Sequence, residues 1–557
     1  MATFTGADLV AQALADLKVR HVFAIVSIHN MPLLDAINRL GRTQIIDVRH
    51  EGAGTHAADG YARATGELGV MIASTGPGTS NTVTGLYEAQ YGSSRVLVIT
   101  GQAETAFYGR GVGYVHEAEK QVPMLESVCR RVESPRDPSQ LGPCLQLLVN
   151  DLFTGRPAPG ALEIPIDLQY AETPQQRFSL PSSGPAPAND KEIKAAAERI
   201  RTSSKRVIIA GGGVICADAS EPLQQLARML DCPVLTTVDG RGVIPETDPL
   251  CVGNYYNSAA MYQAIQEADV TIAIGTRFAV GVDGQFQSQT PPGDLVQIDI
   301  EGRMVGRTHD AQFPIIADAK VALEALIDAL PDAEGNDGQF NQAVWEARDG
   351  LRGAMRKRLG QDFPKIMDAI RTHLPEDGNF VRDQTISAYN WGNQQFPILQ
   401  PRTSMNPSSG AIGPGFPMAL GAAVGTNKTT VVVHGDGGFM FHATELATLA
   451  QYHLPVIVIL CNDSGYGVLR WLQDTRFGRI NETDLGKVAF ARMAESMGVP
   501  GTRVQDTDAF EAALSAAVAA GGPHLIEIDM ECFAPMEISI MPKKNREMAI
   551  QSRENPA

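Results

Sequence analysis

A carboxylate and an amide follow two apolar segments in the C-terminal third of the chain. Asp436 lies in a Gly-Asp-Gly-Gly run at 435–438, directly after three valines at 431–433, and Asn462 follows the apolar segment 456–460. The carboxyl ends of adjacent parallel strands meet at one edge of a sheet, where open α/β sheets bind ligands. Because the spacing suits one strand–helix–strand unit, the sequence places Asp436 and Asn462 side by side.

The glycines on both sides of Asp436 suit a bound diphosphate. They let the backbone approach a phosphate closely, and a helix predicted to begin near His442 directs its unpaired N–H groups to the same place. Asp436, Asn462 and a main-chain carbonyl near Ser464 offer the oxygen ligands that Mg²⁺ prefers. Taken alone, the pattern also fits a tight turn with an N-capping aspartate.

This arrangement resembles the cofactor motif of thiamine-diphosphate-dependent enzymes. That family usually has a second asparagine where this chain has Asp463. The resemblance implies thiamine diphosphate and Mg²⁺ as cofactors, with Asp436, Asn462 and Ser464 at the metal. It also implies contacts to the cofactor from three further residues: Gly437, Gly438 and Tyr466.

Glu51 opens a predicted helix directly after a predicted strand at 43–47. From the residues alone it is a helix-end charge, because the helix dipole stabilises an acid there. The Arg-His-Glu run at 49–51 and the segment 57–63 resemble the helix that carries the activating glutamate of the thiamine family. The resemblance implies that Glu51 holds a carboxyl against the pyrimidine N1′, so that the 4′-amino group becomes the base that removes the thiazolium C2 proton.

Two glycine-rich segments resemble family loops that approach the cofactor. In the segment 408–423, the resemblance places Ile412 beneath the cofactor, which is thereby bent, and gives the Gly410 carbonyl a hydrogen bond from the 4′-amino group. In the segment 74–81, it places Gly76 and Asn81 near the cofactor. Ordinary core packing of Ile412 and a plain glycine turn at 74–81 are the alternatives.

Two histidines are candidates for moving protons. His29 lies in the turn after the first predicted strand, where some relatives, including benzaldehyde lyase, carry a catalytic histidine, and a pKa near ~6.5 suits that role. His116 lies in the loop 109–121, which in the family lies over the thiazolium. An N-capping or buried role for His29 and a solvated surface loop around His116 remain open.

The chain is expected to form three doubly wound α/β domains with mainly parallel sheets. Its 557 residues exceed what a single core holds, and predicted strands alternate with helices. The expected divisions are a pyrimidine-binding domain at 1–180, a central Rossmann-like domain at 191–345, a diphosphate-binding domain at 362–540 and a tail at 541–557. The segment 181–190, rich in Pro, Ser, Gly and Ala, is the predicted first linker.

The central domain poses a separate question about nucleotides. Some relatives hold FAD or ADP there, and Gly211, Arg277 and Asp299 stand in comparable places, whereas other relatives retain the fold with nothing bound. Both alternatives stay open. The full G-x-G-x-x-G spacing is missing, which argues against a nicotinamide cofactor.

Composition excludes several classes of partner. The net charge of −17 disfavours nucleic acid, and no apolar run is long enough to cross a bilayer. The N-terminus lacks the pattern of a signal peptide. The seven cysteines are scattered and odd in number, as expected of reduced thiols, so we expect a cytoplasmic protein.

The motifs together resemble an acetolactate-synthase-like thiamine-diphosphate enzyme. This implies a lyase or transferase that decarboxylates a 2-oxo acid, joins the acyl unit to a second carbonyl, or both. It also implies a homodimer or homotetramer in which Glu51 of one subunit faces Asp436 of another. The alternatives are cleavage of an acyloin or a 2-hydroxyacyl-CoA, with the basic tail after residue 541 closing over the CoA ester, and a non-catalytic nucleotide-binding regulatory protein.

Overall fold

The computed structural model describes residues 4–181, 186–279 and 289–537. Strands and helices alternate along these residues and form three six-stranded sheets, in which neighbouring strands pair in parallel. The prediction of an α/β fold with three doubly wound sheets is confirmed. Across the described ranges, none of the helices combines the length and the apolar character that crossing a bilayer requires.

The first sheet lies in the N-terminal third. Its strands are β1 (His21–Ala24), β2 (Gln44–Asp47), β3 (Gly69–Ala73), β4 (Val96–Gln102), β5 (Arg131–Glu133) and β6 (Gly160–Pro165). Its helices are α1 (Gly6–Asp16), α2 (Met31–Leu40), α3 (Glu51–Thr65), α4 (Pro77–Gly92), α5 (Gln121–Glu126), α6 (Pro138–Leu152) and α7 (Ile166–Tyr170). The strand order is β2-β1-β3-β4-β6-β5.

The second sheet lies in the middle of the chain. Its strands are β7 (Arg206–Ala210), β8 (Val234–Thr236), β9 (Cys251–Gly253), β10 (Val270–Ile274), β11 (Asp294–Asp299) and β12 (Phe313–Ile316), in the order β12-β11-β10-β7-β8-β9. Its helices are α8 (Asp190–Arg201), α9 (Gly212–Cys216), α10 (Ser220–Met229), α11 (Ala259–Ile265), α12 (Ala319–Ala329) and α13 (Gly338–Arg358). Helix α13 packs on α11 and runs across position 345, so the domain boundaries stay predictions.

The third sheet lies in the C-terminal third. Its strands are β13 (Asn379–Arg382), β14 (Ser404–Met405), β15 (Thr430–Gly435), β16 (Val456–Asn462), β17 (Gly501–Val504) and β18 (His524–Asp529), in the order β14-β13-β15-β16-β18-β17. Its helices are α14 (Phe363–His373), α15 (Gly415–Thr426), α16 (Asp436–Phe439), α17 (Leu446–Tyr452), α18 (Gly467–Phe477), α19 (Phe490–Ser496) and α20 (Thr507–Ala520). The predicted basic tail at 541–557 lies outside the described residues.

The central strands are aliphatic because helices cover both faces of each sheet. Strand β10 is buried along its whole length, and β16 is buried up to its last residue, Asn462. Side chains at the ends of these strands are therefore the first ones that can reach a bound ligand.

Helices α3 and α15 join the first and third domains. Their facing surfaces are made of alanines and glycines, so that the two backbones approach closely: a Cβ at Gly421 would overlap the carbonyl oxygen of Ala57, and one at Gly60 would overlap that of Met418. Apolar residues of both sheets form one continuous core around this contact. The two domains are thus packed into one unit within the chain.

The helical span expected to begin near His442 is present, and a further short helix precedes it. Asp436 is itself the first residue of α16, and after a short 3₁₀ turn at Ala443–Glu445 the chain enters α17. The dipole of a helix stabilises an acid in the first turn, and the two glycines that follow impose no side-chain conflict there. Asp436 therefore sits at the start of a helix, directly at the end of β15.

Candidate active site

The end of β15 and the end of β16 are neighbours in the third sheet. The two strands pair in register up to Gly435 and Cys461, so the residues that follow them lie at one edge. A cavity of about 160 Å³ opens there. Its walls include residues from four segments of the C-terminal third: Asp383, Gln384, Tyr389, Gly410, Ile412, Gly437, Gly438, Asp463, Gly465 and Tyr466.

Two carboxylates face each other at this edge. Asp436 is 3% exposed, and its Oδ1 atom has no hydrogen-bond partner among the described residues. Burial, and next the adjacent charge of Asp463, raise the pKa of Asp436 to about 8. Two buried acids held together this closely repel each other unless a proton or a cation lies between them.

Arg470 neutralises part of this charge from the other side. The guanidinium is fully buried, lies 3.1 Å from Asp463 Oδ2, and lies 2.9 Å from the carboxylate of Asp484. Burial still raises the pKa of Asp463, although Arg470 opposes that rise. Asp463 is thereby fixed in place beside Asp436.

The side chain of Asn462 is hydrogen-bonded to residues other than Asp436, and Asn462 is not among the described residues that line the cavity. Its side-chain amide donates a 2.8 Å hydrogen bond to Glu527 in the next strand, and its Oδ1 accepts one from the Ser464 backbone N–H. Successive side chains of an extended chain point to opposite faces, so Asn462 and Asp463 cannot both face the cavity. The metal-ligand role expected of Asn462 stays a prediction, and Asp463, at the second-asparagine position of the family motif, is the residue that lines the cavity.

The backbone of Ser464 is also engaged in a turn and a hydrogen bond. Its φ of 53° turns the chain, and its carbonyl oxygen accepts a 2.9 Å hydrogen bond from the N–H of Leu485. The adjacent Gly465, rather than Ser464, lines the cavity. The metal ligand expected from a carbonyl near Ser464 stays a prediction.

The glycines of the motif leave little room for any side chain. A Cβ at Gly437 would lie 2.8 Å from the ring of Tyr466, and one at Gly438 would lie 2.8 Å from Ile412 Cγ2. Ile412 and Tyr466 thus flank the start of α16 from two sides. The structure brings these predicted cofactor contacts together in one cavity.

Asp383 holds the loop that carries Ile412, and sequence reasoning missed it. Its carboxylate accepts 3.0 Å hydrogen bonds from the N–H groups of Gly413 and Gly415. Gly410, earlier in the same loop, has a φ of 82°, a conformation that other residues rarely adopt. The loop geometry therefore depends on a partner that lies at the end of β13, far away in sequence.

Glu51 lies in a separate place, at the start of α3. Its carboxylate accepts a 2.9 Å hydrogen bond from the side-chain amide of Asn81, on α4. Gly78 lies against it, since a Cβ there would be 3.2 Å from Glu51 Oε1. The predicted pair of Glu51 and Asn81 is thus together, but within the described residues Glu51 does not line the cavity at Asp436.

His29 and His116 lie together beyond the ends of β1 and β4. Their ring centroids are 5.5 Å apart, and the ring of Tyr114 lies 6.2 Å from His29. His29 is 1% exposed, and its Nδ1 atom has no hydrogen-bond partner in the described structure. Burial, and then His116, lower the pKa of His29, so a neutral imidazole is available there.

Gly76 connects this histidine pair to the Glu51 region. Its backbone N–H donates a 2.9 Å hydrogen bond to the side chain of Gln121. Its φ is 57°, and a Cβ would lie 2.6 Å from the carbonyl oxygen of His116. Gly76 thus fixes where the loop of His116 meets the start of α4.

A larger cavity of about 550 Å³ lies where the three domains meet. Arg277 and Asp299 line it, and Gly212, next to the predicted Gly211, lines it too. The Arg277 guanidinium stacks 4.3 Å from the centroid of the Tyr91 ring. Five arginines face this space: Arg63, Arg95, Arg156, Arg277 and Arg402.

Comparisons with known proteins agree with this architecture. Residues 4–124 match the model of the thiamine pyrophosphate enzyme N-terminal TPP binding domain, residues 193–326 that of the central domain, and residues 386–528 that of the C-terminal TPP binding domain. The chain belongs to the thiamine pyrophosphate enzyme family. Thiamine pyrophosphate is another name for thiamine diphosphate, so the family predicted from the motifs is confirmed.

Several relatives of this thiamine enzyme cover nearly its whole length. A probable acetolactate synthase large subunit of Methanocaldococcus jannaschii is 31% identical over 545 residues, which is 94% of this chain and 91% of that protein. The acetolactate synthase large subunit of Haemophilus influenzae is 30% identical, with 93% and 92% covered. A probable 2-ketoarginine decarboxylase of Pseudomonas aeruginosa is also 30% identical, with 95% of each chain covered.

The residues at the C-terminal cavity fit the cofactor of this family. Asp436 has a buried carboxylate oxygen without a hydrogen-bond partner in the described part of the chain, next to a second acid, and this arrangement calls for a cation. The glycines at the start of α16 carry N–H groups that have no partner within the helix, and a phosphate would bind there. The donor set is one of hard oxygens, which is the kind that Mg²⁺ requires.

Proposed function

We propose that this protein uses thiamine diphosphate and Mg²⁺ to decarboxylate a 2-oxo acid and to join the resulting acyl unit to a second carbonyl. The observation that carries the proposal is the buried acid pair of Asp436 and Asp463 at the start of α16, with Ile412 packed against the same turn. The family comparison supports the enzyme class. The long relatives named as acetolactate synthases support carboligation.

Asp436 and Asp463 would hold the metal, together with the main-chain carbonyl of Gly465. Asp463 would take this role in place of Asn462, because the amide oxygen of Asn462, the atom that could bind a metal, accepts a hydrogen bond from the Ser464 N–H. The N–H groups of Gly437 and Gly438 would bind the diphosphate, and Ile412 and Tyr466 would pack against the rest of the cofactor.

The chemistry that the cofactor supplies is a nucleophilic carbon that adds to a carbonyl and then accepts the electron pair of the cleaved C–C bond. Glu51, held by Asn81, would hold a proton at the pyrimidine nitrogen. His29 and His116 would move protons to and from substrate oxygens. The low pKa of His29 keeps its imidazole neutral and therefore able to accept a proton.

A homodimer or homotetramer would complete the site. Glu51 does not line the cavity at Asp436 within the described part of one chain, so a second subunit has to supply it. Large apolar side chains are exposed around both half-sites, as an interface requires. They are Met31, Val112 and Val115 in the first domain and Met440, Phe441 and Leu469 in the third.

Two finer assignments stay alternatives. The relative named as a 2-ketoarginine decarboxylase favours decarboxylation without carboligation, whereas an acyloin or 2-hydroxyacyl-CoA lyase would use the same residues. The arginines around the central cavity suit the phosphates of FAD or ADP. We also propose a cytoplasmic location, because the seven cysteines are all unpaired.

The test is a titration of cofactor-free protein with thiamine diphosphate and Mg²⁺, followed by circular dichroism. Turnover is then measured with pyruvate, longer and aromatic 2-oxo acids, acyloins and 2-hydroxyacyl-CoA esters. Glu51→Gln should bind the cofactor but lose turnover by roughly 10²- to 10⁴-fold, the range of a lost acid–base group. The matched control is Asp190→Asn, which removes another acid from the first position of a helix, α8, and should retain full turnover.

Binding of neither cofactor nor metal by the wild-type protein would overturn the proposal in favour of a non-catalytic protein. Cofactor binding with equal turnover by wild type and Glu51→Gln would remove Glu51 from the mechanism. Turnover restricted to one substrate class would decide among the decarboxylase, carboligase and lyase alternatives.

A further inference from the structure

Helix α4 touches both halves of the proposed site. At its N-terminal end, Asn81 hydrogen-bonds Glu51. At its C-terminal end, Glu88 is completely buried, although it carries a carboxylate. Burying a carboxylate costs folding free energy unless several hydrogen-bond donors surround it. The partners of Glu88 therefore indicate its role.

Glu88 is bonded to the loop that leads to Gly410 and Ile412. Its Oε1 accepts a 2.6 Å hydrogen bond from the N–H of Ser408, and its Oε2 accepts bonds from the N–H of Ser409, at 3.1 Å, and from the Ser409 hydroxyl. These are charge-assisted bonds across a domain boundary, from the first domain to the third. Such bonds are roughly twice as strong as neutral ones.

Arg63, on α3, holds the same loop from a second direction. It forms a 2.8 Å ion pair with Glu88 and a 2.9 Å pair with Asp59. It also donates 2.9 Å hydrogen bonds to the Asn406 carbonyl and to the Ser408 hydroxyl. A third acid, Asp239, accepts a 3.0 Å hydrogen bond from the Ser408 hydroxyl. Asp59 contacts Arg63 but has no hydrogen bond to the loop among the described residues.

The loop is therefore fixed at both ends by buried carboxylates. Glu88 binds residues 408 and 409, and Asp383 binds the N–H groups of Gly413 and Gly415. Gly410 and Ile412 lie between these two anchors and line the cavity at Asp436.

We propose that Glu88 is a positioning residue that sets the loop of Gly410 and Ile412 against the cofactor. It acts through Ser408 and Ser409 and touches neither cofactor nor substrate. The inference rests on the proposed function, since it assigns Gly410 and Ile412 to the thiamine site. Loss of Glu88 should leave the metal ligands intact and impair activation of the cofactor.

The experiment compares wild type with Glu88→Gln, Glu88→Asp and Asp59→Asn. The first readout is amide hydrogen exchange of a peptide covering 406–414 in the cofactor-free protein. The second is the rate at which bound thiamine diphosphate exchanges its C2 proton for deuterium, measured by NMR after acid quenching. The third is the affinity for thiamine diphosphate at saturating Mg²⁺.

Glu88→Gln should speed amide exchange at Ser408 and Ser409 roughly ten- to hundredfold, as expected for the loss of charge-assisted hydrogen bonds. It should slow C2 exchange by about tenfold or more while changing cofactor affinity less than that. Glu88→Asp, which keeps the charge, should recover part of both effects. Asp59→Asn disturbs the same buried ion network but should leave C2 exchange within about twofold, since it removes no bond to the loop.

Faster amide exchange with unchanged C2 exchange would overturn the positioning role and leave the proposed function standing. Equal effects of Asp59→Asn and Glu88→Gln on C2 exchange would reduce Glu88 to a stabilising residue and overturn the proposal too. If the wild type does not bind thiamine diphosphate, the proposed function fails instead, and the amide exchange reports on the loop alone. Should Glu88→Gln not fold, Ser409→Ala removes one bond to Glu88 and must show the same pattern in smaller degree.

Discussion

The first and third domains have the same strand order, and the comparison separates what they share from what differs. In each sheet the order by sequence is second, first, third, fourth, sixth, fifth. Gln102 ends the fourth strand of the first sheet, and Asn462 ends the fourth strand of the third. Their amides donate 2.9 and 2.8 Å hydrogen bonds to Glu163 and Glu527, which occupy the same position in the sixth strands.

The shared amide–glutamate pair shows that the hydrogen bond from Asn462 to Glu527 has a counterpart in the first sheet. That hydrogen bond is therefore a feature of the common strand order. The residues that differ lie at the strand ends: Asp436 directly follows the third strand in one domain, whereas Ser74 directly follows the third strand in the other. Two sheets of one topology can thus carry unlike chemistry, because single residues at the strand ends decide it.

Substitutions of the neighbouring residues Asn462 and Asp463 should differ most strongly in their effect on cofactor affinity. Asp463→Ala should lower the affinity for Mg²⁺ and thiamine diphosphate by at least about tenfold, as the loss of a metal ligand or its support does. Asn462→Ala should change it far less, because its amide serves Glu527. Isothermal titration of the two variants side by side measures the difference. The reverse ranking would return Asn462 to the metal.

The contact that unites the two domains should be the next most sensitive. Gly421→Ala places a methyl group into the Ala57 carbonyl and should cost about 3 kcal/mol of unfolding free energy, the upper range for overpacking. Gly350→Ala is the control, because it lies in α13 with open space around it and should gain roughly 0.5–1 kcal/mol from helix propensity. Urea unfolding of both proteins measures the effect, and stability gains of equal size would show that α3 and α15 are not in close contact.

The side-chain amides of Gln102 and Asn462 should contribute equally to the free energy of unfolding. Gln102→Ala and Asn462→Ala each take a donor from a buried glutamate and should each cost about 1–3 kcal/mol of unfolding free energy. Chemical denaturation of both variants tests this symmetry. A loss confined to Gln102→Ala would mean that Asn462 serves something other than Glu527.

The junction of the two domains should also respond to acid. His56 is buried and His442 is half-buried, with ring centroids 5.6 Å apart, and the loss of solvation lowers the pKa of each to about 3. Since the unfolded chain binds these protons near pH ~6.5, stability is complete above that pH and is lost as the pH falls toward 3. Each histidine contributes at most about 1.4 kcal/mol per pH unit in this window.

Replacing one of the pair should reveal that contribution. His442→Asn should flatten the decline of unfolding free energy between pH ~6.5 and acid, relative to wild type. The exposed His453, at the end of α17, supplies the control variant His453→Asn, which should leave the profile as it is. Parallel profiles for wild type and His442→Asn would place the acid sensitivity elsewhere.

The sequence predicted the three-sheet fold because buried parallel strands are uninterrupted aliphatic segments, such as β10 and β16. Asp436 was predictable because glycines flank it directly. Asp463 was not selected, although it occupies the second-asparagine position of the family motif, because the adjacent Asn462 offers an oxygen ligand at almost the same spacing. The anchors Asp383, Arg470 and Glu88 were missed for another reason: each acts on a segment from a different strand, turn or domain, and only the tertiary fold brings them there.

Helix α4 has a consequence for the assembled enzyme. In the proposed homodimer, Glu51 of each chain completes the cavity of the other, so Asn81 serves one active centre while Glu88 of the same helix holds the loop of the second. The two residues are separated by two turns of one continuous helix, about 10 Å. Each catalytic centre is thus mechanically linked to its twin, and we expect crosstalk: a mixed dimer with one Glu88→Gln chain should slow both centres, whereas independent centres would lose the activity of only one.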